Sequence, residues 1–103
     1  MDHLHKPQFI NKTGRKIKEK KIKEYKVVML NDHYTTMDFV VEILIRIFHK
    51  NHQDANIIML EIHCSGKAVV GIYPFDIAVT KVEQVHAVAT AHDFPLRCIV
   101  EPI

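Results

Sequence analysis

Val27-Val28-Met29-Leu30-Asn31-Asp32-His33-Tyr34-Thr35-Thr36-Met37 is the stretch from which the rest of this chain is read. Residues 25 to 30 form a Val-rich run flanked by polar side chains, which fits a strand buried on both faces. The run empties into two hydrogen-bond acceptors, Asn31 and Asp32, just before a helix start. Thr35 followed three residues later by Asp38 predicts that start, with Thr35 as the N-cap and the acid at the positive end of the helix. A strand that hands its acceptors directly to a helix N-terminus suggests a binding pocket.

Helix one is expected to run to about residue 49. Its only polar stripe is Asp38, Glu42, Arg46 and His49, while Met37, Phe39, Val40, Val41, Ile43, Leu44, Ile45, Ile47 and Phe48 occupy the rest. A helix with so narrow a wet face must be covered on several sides. Asn51 with Asp54 predicts a second cap and a helix over residues 53 to 65, before Gly66 takes the left-handed C-terminal position. On this helix Met59, Ile62 and His63 share one face by i, i+3, i+4 spacing. Residues 67 to 73 read as a second strand. Pro74 suits the first turn of a third helix, because its missing N–H has no partner there. Ala78, Val82, Val85 and Ala89 then form an inward seam, Asp93 and Pro95 end the helix near residue 92, and residues 96 to 101 read as a last strand. The order is β-α-α-β-α-β, an α/β (α+β) domain over residues 25 to 103, with no internal repeat.

A length of 103 residues allows one such domain, and an apolar fraction of 48% with 25% charged residues is that of an ordinary globular chain. Residues 1 to 24 differ in kind. They hold eight Lys and Arg against three acids, a net charge of +5, whereas residues 25 to 103 hold six against nine, a net charge of −3. Apolar residues there are sparse, and Pro7, Asn11 and Gly14 interrupt any helix, so a flexible basic arm is expected. No apolar run approaches the roughly 20 residues that span a bilayer, and the N-terminus lacks the apolar block of a secretion signal. A cytoplasmic protein without membrane contact is expected, and a monomer. Cys64 and Cys98 are not spaced as C-x-x-C, which argues against a disulfide framework or a thiol-rich zinc site.

Beyond pattern, the chain resembles the family of bacterial Clp protease adaptors called ClpS. The resemblance runs from Tyr25 to the C-terminus through Tyr25-Lys26-Val27, Asn31-Asp32, Tyr34-Thr35, Met37, Phe39-Val40, Met59-Leu60, His63, Gly66-Lys67-Ala68, Gly71, Ala78, Thr80-Lys81-Val82 and Pro95-Leu96. It implies a three-stranded antiparallel sheet packed with three helices. It also implies a non-catalytic adaptor, without cofactor or metal, that binds proteins beginning with Leu, Phe, Tyr or Trp. These N-degrons would pass to a ClpA-type AAA+ unfoldase coupled to ClpP.

By the same resemblance, Asn31, Asp32 and His63 hold the α-amino group, with His33 beside them, and Thr35 holds the peptide backbone. Met37, Val40, Met59, Ile62 and Leu96 form the side-chain pocket, and Met37 narrows it against β-branched residues. The chemistry suits these types. An ammonium donates three hydrogens, and an amide oxygen, a carboxylate and a neutral imidazole nitrogen are all acceptors. Read from the residues alone, the Met and Ile positions fit core packing, Asn31-Asp32 a turn, and His63 a satisfied buried histidine.

Two departures stand out. Most members carry an acid where this chain has His33, so the site is less negative. Weaker binding is expected, falling further as histidines take up protons on acidification. On helix three the stretch that faces the unfoldase usually reads acid-Thr-Lys and here reads Val79-Thr80-Lys81, while Asp76 and Lys81 still match the docking residues in charge, so docking is expected to be more apolar or tuned to a different unfoldase.

Three rival functions compete with this reading. The basic arm alone could neutralise phosphates, making a nucleic-acid binder the alternative, but the folded part is net negative and carries no aromatic-basic motif. Eight histidines raise the prospect of a metal site or enzyme. However, His49 and His52 straddle a helix break, His3 and His5 lie in the arm, and no H-E-x-x-H, Cys-His set or phosphate-cradling Gly loop occurs. A purely structural module is the third, since the same architecture occurs in a ribosomal stalk domain and fold does not fix function.

Overall fold

The computed structural model describes residues 9–10, 16–17 and 21–103. Among the described residues, five strands and three helices follow in order: β1 (Phe9–Ile10), β2 (Lys16–Ile17), β3 (Glu24–Leu30), α1 (Met37–Arg46), α2 (His52–Ser65), β4 (Lys67–Pro74), α3 (Phe75–Ala91) and β5 (Arg97–Pro102). From β3 onward this is the expected β-α-α-β-α-β order. β1 and β2 pair antiparallel, Phe9 opposite Ile17, within a segment where no element was expected. The other residues of the predicted arm up to residue 20 lie outside the described residues.

The main sheet is antiparallel, in the order β4-β3-β5. Its centre is β3 because that strand can afford neighbours on both sides: Val27, Val28 and Met29 are all buried. The pairs Met29↔Ala68 and Met29↔Cys98 set the register across the three strands. Between Val27 and Val28 the register slips, so that Val27 faces Gly71 while Val28 faces Val69. Val70 is the extra residue of this bulge, and with Ala68, two residues before it, it reaches the core. Gly71 is needed there, since a Cβ would run into the Tyr73 ring.

The helices cover one face of the sheet. α1 buries Val40, Val41, Ile43 and Leu44, α2 buries Ala55 and Ile62, and α3 buries Ala78, Val85 and Ala89. Val82 of the expected seam is partly buried. The exposed stripe of α1 carries a Glu42–Arg46 ion pair at 2.8 Å.

Three helix boundaries differ from expectation. The N-cap of α1 is Thr36, whose hydroxyl oxygen accepts from the Phe39 N–H at 3.2 Å, because Thr35 is drawn away by Asp32. α1 stops at Arg46 rather than near residue 49. His49 adopts a left-handed φ of 56°, and the Lys50 N–H turns back to the Leu44 carbonyl at 3.1 Å, closing the helix without a glycine. Lys81 Nζ then donates to the Ile47 carbonyl at 2.7 Å, joining α3 to the end of α1. Pro74 precedes α3 with an extended ψ of 156° instead of entering its first turn. α2 meets its expectation, with Asn51 as cap and Gly66 left-handed at φ 91°.

α3 also seals β5. His86 Nε2 accepts the backbone N–H of Cys98 at 3.1 Å, which requires a neutral imidazole. Burial, and then the Arg97 charge, lower the His86 pKa below its ordinary 6.5. The unfolded chain therefore binds the proton more readily, so this contribution is complete above about pH 6.5 and fades as pH falls below it. Thermal unfolding at pH 7.5 and pH 5 checks this: His86→Gln, which keeps an acceptor without titrating, should lose up to about 1 kcal/mol less on acidification than the parent chain.

Candidate functional site

At the end of the sheet where β3 runs into α1, a cavity of about 190 Å³ opens to solvent. Its walls come from four places. Asn31 and Asp32 stand at the end of β3, His33 and Thr35 on the following loop, Met37 and Val40 on α1, and Met59, Ile62 and His63 on α2. The i, i+3, i+4 spacing of the last three is what points them into one space. The Asn31 N–H donates to the Gly66 carbonyl at 2.9 Å, so the strand end is fastened to the very turn that terminates α2.

Asp32 organises the loop. Its Oδ1 accepts from the Tyr34 N–H at 2.8 Å and the Thr35 N–H at 2.6 Å, and its Oδ2 accepts from the Thr35 hydroxyl at 2.7 Å. Burial by itself pushes the carboxyl upward, but the bonds from Thr35 and Tyr34 together with the His33 charge outweigh it. The Asp32 pKa lies below its ordinary 3.8, and the group is a carboxylate at neutral pH. The Thr35 hydroxyl spends its proton on Asp32 and faces any visitor as an acceptor.

The cavity thus has two chemistries. Val40 and Ile62, only 7% and 2% exposed, make an apolar floor continuous with the core. Asn31, Asp32, Thr35 and His63 place oxygen and nitrogen acceptors above it, and Met37, 44% exposed, stands at the lip. Such a site suits a group that donates several hydrogens beside a bulky apolar one.

Of the residues named from the sequence for this pocket, Leu96 is the one the structure puts elsewhere. It is 2% exposed, packs in the same core cluster as Val40 and Ile62, and borders a second depression with His86, Thr90 and Phe94, just before β5 begins. The residues named for docking sit together on α3. Asp76 and Thr80 are exposed, Val79 and Lys81 partly so. The Thr80 hydroxyl is turned onto the Asp76 carbonyl, and the Lys81 ammonium is held by Ile47 and lies 5.8 Å from the centre of the Tyr73 ring.

Sequence reasoning missed the work of Asp32 within the loop and that of His86. The first was legible in principle, since Asp followed by polar residues favours a turn closed by its own carboxylate. The second had no local signal.

Among the described residues, no cluster of three or more His, Cys, Asp or Glu is placed to hold a metal ion, and no helix is long and apolar enough to cross a membrane. Both cysteines are free thiols. Cys64 is exposed, whereas burial pushes Cys98 up to about 12.

Comparison with known proteins gives a consistent result. Residues 20–99 match the family described as ATP-dependent Clp protease adaptor protein ClpS. The ATP-dependent Clp protease adapter protein ClpS of Acetivibrio thermocellus is 57% identical over 83 residues, 81% of this chain and 84% of that protein. The protein of the same name from Myxococcus xanthus is 45% identical over 100 residues, 97% of this chain and 94% of its own length. Among solved structures, Agrobacterium tumefaciens ClpS2 bound to L-phenylalaninamide superposes with a TM-score of 0.78 at 35% identity, covering 81% of this chain and all of that one.

Proposed function

This chain belongs to the ClpS family of ATP-dependent Clp protease adaptors, and from that premise we propose that it captures proteins through a free N-terminal Leu, Phe, Tyr or Trp. It hands them to a ClpA-type AAA+ unfoldase for degradation by ClpP and catalyses no reaction itself. The observation that carries this reading is the meeting of acceptors and apolar floor in one cavity. An N-terminal ammonium is buried at low cost only where acceptors converge on it. Asn31, Asp32 and His63 supply them, Thr35 accepts from the peptide backbone, and His33 lies alongside. The first side chain descends between Met37, Val40, Met59 and Ile62.

The Agrobacterium relative supports the reading through the chemistry of its ligand. L-phenylalaninamide has a free α-amino group, a benzyl side chain and an amide in place of the carboxylate, as an N-terminal Phe residue has. Asp76, Val79, Thr80 and Lys81 on α3 are the proposed contact with the unfoldase, on a different helix from any that lines the cavity. The basic residues 1 to 24 are proposed as an arm attached to an adaptor domain of residues 25 to 103, acting as a monomer in the cytoplasm.

The test is fluorescence anisotropy with a labelled Leu-initiated peptide, free and acetylated. Each hydrogen bond to a charged group contributes roughly 1.5 to 3 kcal/mol, and two are lost on acetylation. A loss of about 100-fold or more is expected. Equal affinity for the two peptides rejects the reading.

A further inference from the structure

We propose that His33 makes this site select chains whose second residue is acidic. The inference rests on the reading that the cavity holds a free chain terminus. In an extended chain, successive side chains point to opposite sides. When the first side chain descends to Val40 and Ile62, the second is turned back toward the rim, its Cα only about 3.8 Å from the first.

The rim offers few partners. His33, Met37 and His63 are the cavity residues exposed there. Met37 is apolar, and His63 is occupied with the ammonium in the same reading. Asp32, the one carboxylate of the cavity, already has Oδ1 accepting from two backbone N–H groups and Oδ2 from the Thr35 hydroxyl. A basic second residue therefore competes with the chain's own ammonium for Asp32, whereas an acidic one meets the His33 imidazole, a donor in either protonation state.

The titratable groups around His33 are few. Asp32 and Tyr34 belong to its own loop, Asp38 lies in the exposed first turn of α1, and His63 comes from α2. Glu61, also on α2, borders a different depression with Lys26 and Lys67. His33 already interacts with the Asp32 charge. An acidic second residue would give its charge a second, mobile partner.

Peptides identical except for Asp, Gly or Lys at position two, all beginning with Leu, test this against the full chain at pH 6, in low and in raised salt. At pH 6 the Leu-Asp peptide should bind about 2- to 5-fold more tightly than Leu-Lys, the range of an exposed ion pair. The ratio should shrink as added salt screens the charge pair. It should fall to one or below in His33→Ala and invert in His33→Asp. Equal binding of Leu-Asp and Leu-Lys at pH 6, with acetylated Leu-Asp still rejected, overturns the inference and leaves the pocket reading intact. Equal binding of free and acetylated peptides overturns both.

Discussion

Asp32→Ala should weaken binding of a Leu-initiated peptide by about 100-fold or more while lowering stability by only about 1 to 2 kcal/mol. Two separate losses add up in binding. The carboxylate that faces the ammonium disappears, and a hydrogen bond to a charged group contributes roughly 1.5 to 3 kcal/mol. The loop also loses its organiser, since the Tyr34 N–H, the Thr35 N–H and the Thr35 hydroxyl all converge on this one side chain. Asn31 and Thr35 then no longer hold their positions before the ligand arrives, and ordering them becomes part of the cost of binding.

Folding loses less, because the freed N–H groups lie near the surface and can turn to water. Asp32→Asn separates the two contributions. It retains an oxygen for the backbone donors but no charge, so its affinity should fall between those of the other two proteins. Anisotropy with the same peptide, alongside thermal melts, reads both quantities. An Asp32→Ala protein that binds within threefold of the parent would mean that the cavity holds its ligand some other way.

The pH behaviour of the same residue sharpens the test. The Asp32 pKa lies below 3.8, so its bonds are complete above that value and are lost only as pH falls through the lower, folded value. Between pH 8 and pH 5.5 the carboxylate keeps its charge. Any loss of affinity in that window therefore does not come from Asp32.

The elements that could be read from the sequence are those whose signal lies within a few residues. Gly66 ends α2 because a left-handed position favours glycine, and Asn51 caps the same helix through the Asp54 N–H at 2.7 Å. Both are local chemistry. The end of α1 was missed for the complementary reason: His49 takes the left-handed conformation that glycine usually fills, and nothing in its type announces that. The adjacent threonines, Thr35 and Thr36, show how a pattern fails. Either can cap a helix, and the choice is made by Asp32, which takes the N–H and hydroxyl of Thr35 and leaves Thr36 for α1.

Contacts between distant segments lay further out of reach. The His86–Cys98 and Lys81–Ile47 bonds span 12 and 34 residues, and each depends on how α3 lies across its neighbours. Leu96 was placed in the pocket through resemblance, and its burial in the core follows from that same packing. For the candidate site the balance is different. The acceptors and the Met59, Ile62 and His63 face are separated in the chain by the whole of α1 and its flanking loops. Their meeting depends on the Asn31–Gly66 backbone bond, which no spacing rule contains.

The largest effect on stability is expected from Leu44→Ala. Leu44 is fully buried in the last turn of α1, in one core cluster with Val27 and Met29 of the central strand. Removing its side chain deletes apolar contacts and leaves a hole that close-packed neighbours fill only in part, a cost of about 2 to 5 kcal/mol. Alanine is the better helix former, so the loss cannot be assigned to α1 itself. At roughly 4 to 8 °C per kcal/mol for a domain of this size, the melting temperature should fall by about 10 to 30 °C.

Glu42→Ala, on the wet stripe of the same helix, is the control. Its partner Arg46 is 78% exposed, and such an ion pair contributes only about 0.5 kcal/mol. The contrast also reaches the site, because Val40 lies one helical turn before Leu44 and forms part of the cavity floor. If the floor is rigid because the core behind it is full, Leu44→Ala should weaken peptide binding several-fold even at temperatures where the protein remains folded. Unchanged affinity in the folded variant would show that α1 holds the floor in place without support from the core. A stability loss below about 1 kcal/mol would mean that Leu44 does not sit in a packed interior.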